Sequence, residues 1–250
     1  MKRKKMNAIS LDILKKRQYL VGILVVLLMT VYSCKKEAAP EPEQETGTVT
    51  DIDGNVYKTV KIDEQWWMAE NLRVTKYRDG STIPSVSSEN TTYDVWANNS
   101  TGAHTGDLYN WAAVNDIKQI APEGWHVPSD TEWKQLECHI GMSPAEADNT
   151  SWRGTNEGDK LKKEWERINF WTQYGNVWPT NESGFTVIPN GVRLPDGSFG
   201  DNLFHEVAFF WTSTPHENEA WYRYLDYKKS SIFRYYGSTK YGQSIRCIKD

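Results

Sequence analysis

The chain has 250 residues with 33 acidic and 29 basic side chains. Residues 1–33 hold seven of the bases and one of the acids, so the remainder carries 22 against 32, about −10 in formal charge. That balance excludes a phosphate-binding basic surface and a polybasic grip on anionic lipid, while twelve tryptophans and thirteen tyrosines exclude a disordered chain.

The opening MKRKKMNAISLDILKKR is basic, and LVGILVVLLMTV (20–31) is apolar but short for a permanent membrane span. Together they have the pattern of an export signal. It ends in VYSC, with small Ser33 before Cys34, and this resembles the lipobox of bacterial lipoproteins. The resemblance implies cleavage after residue 33, diacylglycerol on the Cys34 thiol and an acylated new N-terminus. Several acyl chains anchor stably, since each buried methylene contributes about 0.8 kcal/mol. Residues 34–47, rich in Pro and Glu, read as an extended tether, and one domain is expected over 48–250.

That domain opens with TVTDIDGNVYKTVKIDEQWWMAENL. Val56, Val60 and Ile62 alternate with Tyr57, Thr59 and Lys61, the period of a half-buried strand. Asp53-Gly54-Asn55 reads as a hairpin turn, and Asp63-Glu64-Gln65 separates two further strand-like runs, so a three-stranded meander is expected. The spacing of Asp51, Asp53 and Asn55 is that of the start of a calcium loop, but Gly54 is misplaced and Ile62 stands where the last ligand belongs. Adjacent Trp66 and Trp67 must point to opposite faces. Tyr77-Arg78-Asp79-Gly80 and Leu194-Pro195-Asp196-Gly197 are turns.

In the middle, Ser129 and Glu132 form a capping box, with Pro128 and Trp133 placed as a hydrophobic staple. Trp133, Leu136 and Ile140 line one helix face, and Gly141 ends it. Ser143–Ala147 is a second capping box, with Pro144 at the first helical position. Asn156–Phe199 lacks periodicity and reads as long ordered loops. VAFFWTST, AWYRYLDY and SIRCIKD return to strands. The expected fold class is α+β: antiparallel strands at both ends, two short helices between them, and long loops.

His126, in GWHVPSDTEW, is the obvious candidate for acid–base chemistry, but no nucleophile or carboxylate stands in motif spacing with it, and it reads as incidental. His104, His139, His205 and His216 show no metal-ligand spacing, and no nucleophile elbow or phosphate loop occurs. No catalytic residue, metal or cofactor is therefore expected. Cys138 and Cys247 remain in an exported chain, as either a disulfide or two buried thiols. The tryptophans fill a core or, where exposed, mark a binding surface for sugars or protein.

WWMAENLRVTKYRDGSTIP, GDLYNWAAVND, APEGWHVPSDTEW, NESGFTVIPNG, FWTST and SIRCIKD resemble, in order and spacing, the Fibrobacter succinogenes major paralogous domain, from about Val49 to Asp250. The resemblance implies a C-type-lectin-like fold related to formylglycine-generating enzymes, in surface or secreted proteins of Bacteroidota and Fibrobacteres that are often lipoproteins. Ala121 stands where the family commonly has cysteine. A bond from Cys138 to the last strand would match the long-range disulfide of C-type lectins, and so favours Cys138–Cys247. The calcium-binding triplets of lectins and the reactive cysteine pair of the formylglycine relatives are missing, which argues against both activities. The expected function is a lipid-anchored, non-enzymatic module on the outer membrane, reached through Cys34 and binding a glycan or surface protein, without nucleic acid. Lys35, in place of an aspartate, favours the outer membrane. The alternatives are a carbohydrate-active enzyme using carboxylates of the 156–199 loops, and a structural component of the envelope.

Overall fold

The computed structural model describes residues 44–84, 93–94 (backbone only), 106–165, 170–198 and 205–250. The expected signal, the lipidation site Cys34 and the tether as far as residue 43 lie outside the described residues. The described residues begin at Gln44, whose side-chain amide donates to the Ser183 carbonyl, and the first strand begins at Thr46.

Strand β1 (Thr46–Thr50) and β2 (Val56–Ile62) form an antiparallel hairpin, and β3 (Gln65–Met68) completes the meander. The first turn closes because Asp51 Oδ1 accepts the N–H groups of Asp53 and Asn55, both at 2.9 Å, while Gly54 takes a φ of +83°. The Asp51 carboxylate is thus consumed by its own turn. Strand β11 (Ile248–Lys249) lies between β3 and β6 (Trp125–His126), giving the order β1-β2-β3-β11-β6. The expected N-terminal meander and the last of the expected C-terminal strands, in SIRCIKD, therefore share one sheet.

A second antiparallel sheet has the order β7 (Ser151–Arg153), β10 (Ile232–Ser238), β9 (Glu219–Asp226), β8 (Val207–His216). Strand β10 is an addition to the expected set. A short pair is made by β4 (Tyr93–Asp94) and β5 (Leu108–Tyr109). Four helical segments are described rather than two. The expected pair is α2 (Asp130–His139) and α3 (Pro144–Ala147), each with its capping box formed. The others, α1 (Trp111–Val114) and α4 (Glu157–Leu161), are single turns too short to show a period. The architecture is α+β, dominated by antiparallel sheet.

Two hydrophobic cores lie on opposite faces of the first sheet. Tyr57 and Cys247 belong to one, with Trp66 packed against it; Val60, Ile62, Trp67 and Ile248 belong to the other. Successive strand residues alternate faces, so Trp66 and Trp67 part as expected. The expected half-buried β2 is corrected, however. Tyr57 is wholly buried, its hydroxyl donating to Asp51 and accepting from the Arg73 N–H, while Val56 is exposed. A strand covered on both faces has no polar side, and hydrophobicity alone does not tell its faces apart.

Helix α2 buries two acids beside Trp133 and Leu136. Asp130 receives Arg223 Nη1 at 2.8 Å and Arg234 Nη2 at 2.7 Å. Glu137 receives Arg223 Nε at 2.7 Å and Arg153 Nη2 at 2.8 and 2.9 Å. Burial alone would raise the Asp130 carboxyl, but the Arg234 and Arg223 guanidiniums override it and hold it at about 2. These pairs bolt α2 to β7, β9 and β10. Gln44–Asp250 forms one compact unit that holds both cores described above.

Candidate ligand-binding surface

His126 is less isolated than its sequence neighbours suggest. Its Nε2 lies 2.8 Å from Glu132 Oε1 and its Nδ1 lies 2.7 Å from Asp250 Oδ1. Glu132 comes from the capping box of α2 and Asp250 follows β11, so the contact joins the helix start to the last strand. The hydrogen bond to Glu132 raises the imidazole pKa; partial burial opposes this and Asp250 reinforces it. Glu132 is correspondingly lowered. Burial works against that shift, and the bonds from His126 and Ser129 outweigh it. When the ring is protonated, both nitrogens donate to carboxylates and no lone pair is left for a proton or a metal. It is a clamp, and the reading of His126 as incidental is corrected to a structural one.

Cys138 and Cys247 are both free thiols, and the pairing drawn from lectins is not formed. Cys247 is buried in the first core, while Cys138 packs against the second, across the sheet. A side chain one residue before Ile248 faces away from the core that Ile248 enters. Burial pushes the Cys247 thiol far above its ordinary range, and burial with nearby Glu137 also raises Cys138. His139 lies 3.7 Å from Asp63, His205 meets the Phe170 carbonyl and His216 stacks on Tyr236; His104 is outside the described residues.

Three of the loop acids are engaged locally. Glu157 accepts the Thr155 N–H, Asp159 holds the Lys162 ammonium at 3.1 Å, and Asp196 closes its own turn onto Ser198. Two shallow clefts, of about 200 and about 190 Å³, share Arg78, Ile120 and Ala121 and are lined by none of these acids. The Arg78 guanidinium is itself spent on the carbonyls of Ala121, Pro122 and Trp125.

Two of the aromatic surfaces among the described residues differ in what their rings face. On the less buried face of the second sheet, Trp152, Phe233, Tyr224 and Phe209 make a row across all four strands. Their centroid separations are 5.2, 5.8 and 4.4 Å in turn. The rings meet edge to face or stacked on one another, so their π-faces are spent inside the row. They seal that face of the sheet. The alternation in AWYRYLDY, with Tyr222 and Tyr224 two apart, was the available signal for this row.

The loop after Trp171 is different. Its ends are pinned: the Thr172 N–H donates to the His205 carbonyl at 2.9 Å, and the Thr180 and Asn181 N–H groups donate to the Asp159 carbonyl at 2.9 and 3.3 Å. Asp159 is in turn fixed by Lys162, which is wholly buried and also reaches the Lys229 carbonyl. Between these pins Val177 turns back onto Tyr174, and Gly175 takes a positive φ. The turn leaves Tyr174 49% and Trp178 60% exposed. Trp178 stands edge to face on Trp165 at 4.4 Å and Tyr174 on Tyr227 at 5.6 Å, so each is propped from one side. Lys228 sits by the Tyr227 ring at 4.8 Å and by Tyr174 at 5.8 Å. A rigid base holding an indole and a phenol in water can stack on apolar ligand faces while the ammonium bonds to polar groups. Nothing in the local sequence marks Trp178 among twelve tryptophans; its exposure is a property of the folded loop.

No curated protein and no solved structure matches the chain. The motifs shared by its turns, capping box and last strand are those of one family, and the model of the Fibrobacter succinogenes major domain matches residues 60–249, so the chain belongs to that family.

Proposed function

We propose that the chain is a lipid-anchored protein of the outer membrane whose C-type-lectin-like domain binds a glycan through Trp178 and Tyr174. The observation that carries this reading is the exposure of those two rings on a loop pinned at both ends to α4 and its neighbours. Exposing an indole to water costs the free energy that burying it would release, roughly 1.5–3 kcal/mol for a large apolar side chain. A ligand whose apolar face covers the ring recovers part of it. The adjacency of β3 and β11, with long loops between the two sheets, supports the lectin-like reading, and the lipobox-like VYSC supports the anchor.

The test is a screen of the Gln44–Asp250 body against immobilised polysaccharides, followed by titration of the best ligand with tryptophan fluorescence as the readout. Trp178→Ala is expected to weaken binding at least tenfold while leaving the unfolding transition within a degree or two. A ligand bound equally well by the Trp178→Ala chain rejects this surface, and absence of any glycan ligand rejects the reading. Labelling with a radioactive fatty acid, lost in Cys34→Ala, tests the anchor separately.

A further inference from the structure

The sheets differ in how their edges are closed. Strands β6 and β7 are two and three residues long, too short to template another strand. The long edge strand β8 is covered: Trp211 N–H donates to Ser244 O at 3.1 Å, Ser244 N–H to Phe209 O at 3.0 Å, and Ser213 N–H to Pro128 O at 2.9 Å. Among the described residues, strand β1 is the exception. It pairs with β2 on one side, and all its residues except Val49 are exposed.

The hydrogen-bond parity of β1 can be fixed. Lys61 N–H donates to Glu45 O at 2.9 Å, and Asp51 N–H donates to Asn55 O at 3.0 Å, at the two ends of one continuous register. Residues 45, 47, 49 and 51 therefore turn their backbone groups towards β2, because bonded pairs alternate in an antiparallel ladder. Thr46, Thr48 and Thr50 turn theirs outward. The stretch TGTVT holds no charge and no proline, so it lacks the usual protection of an edge.

We infer that β1 is an interaction edge and that its occupant is a second copy of this chain, paired antiparallel about a two-fold axis at Thr48. The strand is self-complementary in that arrangement. Thr48 of both copies exchange N–H···O bonds, and Thr46 of each copy faces Thr50 of the other. Cross-strand threonine pairs of this kind are favourable, and a two-fold contact closes without leaving a free edge. The preceding sequence suits an added strand poorly, since Pro40 and Pro42 lack the N–H groups a ladder needs. So short a pairing is weak between freely diffusing molecules. Confinement by the acyl anchor, which rests on the proposed function, raises the effective concentration.

Cysteine cross-linking of the full chain in its membranes tests the register, with Cys138→Ser as background. A bonded antiparallel pair places its Cα atoms about 5.5 Å apart, within disulfide range. Thr48→Cys alone is expected to give a covalent dimer at least tenfold above the background chain. Val49→Cys is not, and Thr46→Cys should cross-link only when mixed with Thr50→Cys. Equal yields at positions 48 and 49, or no dimer at Thr48→Cys, overturn the inference; so does capture of a chain of different mass. Thr48→Lys, an exposed change that sets like charges opposite each other, should lower the dimer fraction seen by sedimentation at least tenfold with an unchanged circular dichroism spectrum. Loss of anchoring alone, as in Cys34→Ala, would leave the Thr48→Cys dimer detectable in concentrated solution. Loss of pairing alone would leave membrane-bound monomer.

Discussion

Glu137→Gln separates charge from shape in the buried cluster. Glu137 is inaccessible to solvent, and its two oxygens receive Arg153 and Arg223, both themselves buried. The substitution preserves volume and creates no cavity, but leaves two guanidiniums with only Asp130 as counter-charge, which contacts Arg223 and Arg234 but not Arg153. Arg153 is already pulled below its ordinary range by burial, which Glu137 partly offsets. Removing one partner of a buried pair costs roughly 3–5 kcal/mol. That is a large share of the ~5–15 kcal/mol that holds a typical domain together. At about 2–4 °C per kcal/mol for a body of this size, the melting temperature should fall by about 10 °C. Calorimetry and urea unfolding of the Gln44–Asp250 body give the measurement, and an unchanged urea slope would show that the loss is in stability rather than compactness. A loss under about 1 kcal/mol would refute the reasoning, because it would mean that water solvates the guanidiniums in place of the carboxylate.

The His126 clamp makes a pH-dependent prediction. A folded pKa above the unfolded value of about 6.5 gives a contribution that is fully present below that pH and fades as pH rises through the raised value. Glu132, with a lowered pKa, contributes above about 4.3 and loses that as pH falls. His126→Ala should therefore cost about 1 kcal/mol at pH 6, a figure reduced for the partial exposure of the ring. The cost should be markedly smaller at pH 9, where the ring is neutral; an equal cost at both pH values would show that only packing is lost. Thiol titration tests the cysteines. Cys138 in the Gln44–Asp250 body should react slowly under native conditions and Cys247 only after unfolding, without reductant; a requirement for reductant would restore the disulfide.

The capping boxes at Ser129 and Ser143 were legible because each is complete within four residues and depends on nothing distant. The hairpin of β1 and β2, the opposed Trp66 and Trp67 and the Asp-Gly turns were legible for the same reason. Two acids inside the apolar stripe of α2 were not read as buried, although Arg223 and Arg234, each set among aromatics in a strand, were a usable hint that carboxylates must meet them. Strand β10 was missed because a buried arginine interrupts its hydrophobic alternation.

The sequence by itself determined the family, the α+β class, the local turns and the helix starts, since short-range hydrogen bonding and hydrophobic period specify these directly. The tertiary structure alone decided that Trp178 stands in water, that His126 bridges Glu132 and Asp250, and that Cys138 and Cys247 lie on opposite sides of a sheet. Each joins residues up to 124 positions apart or depends on which face of a two-sided sheet is covered. Those are packing outcomes, and periodicity along one strand carries no information about what packs against it.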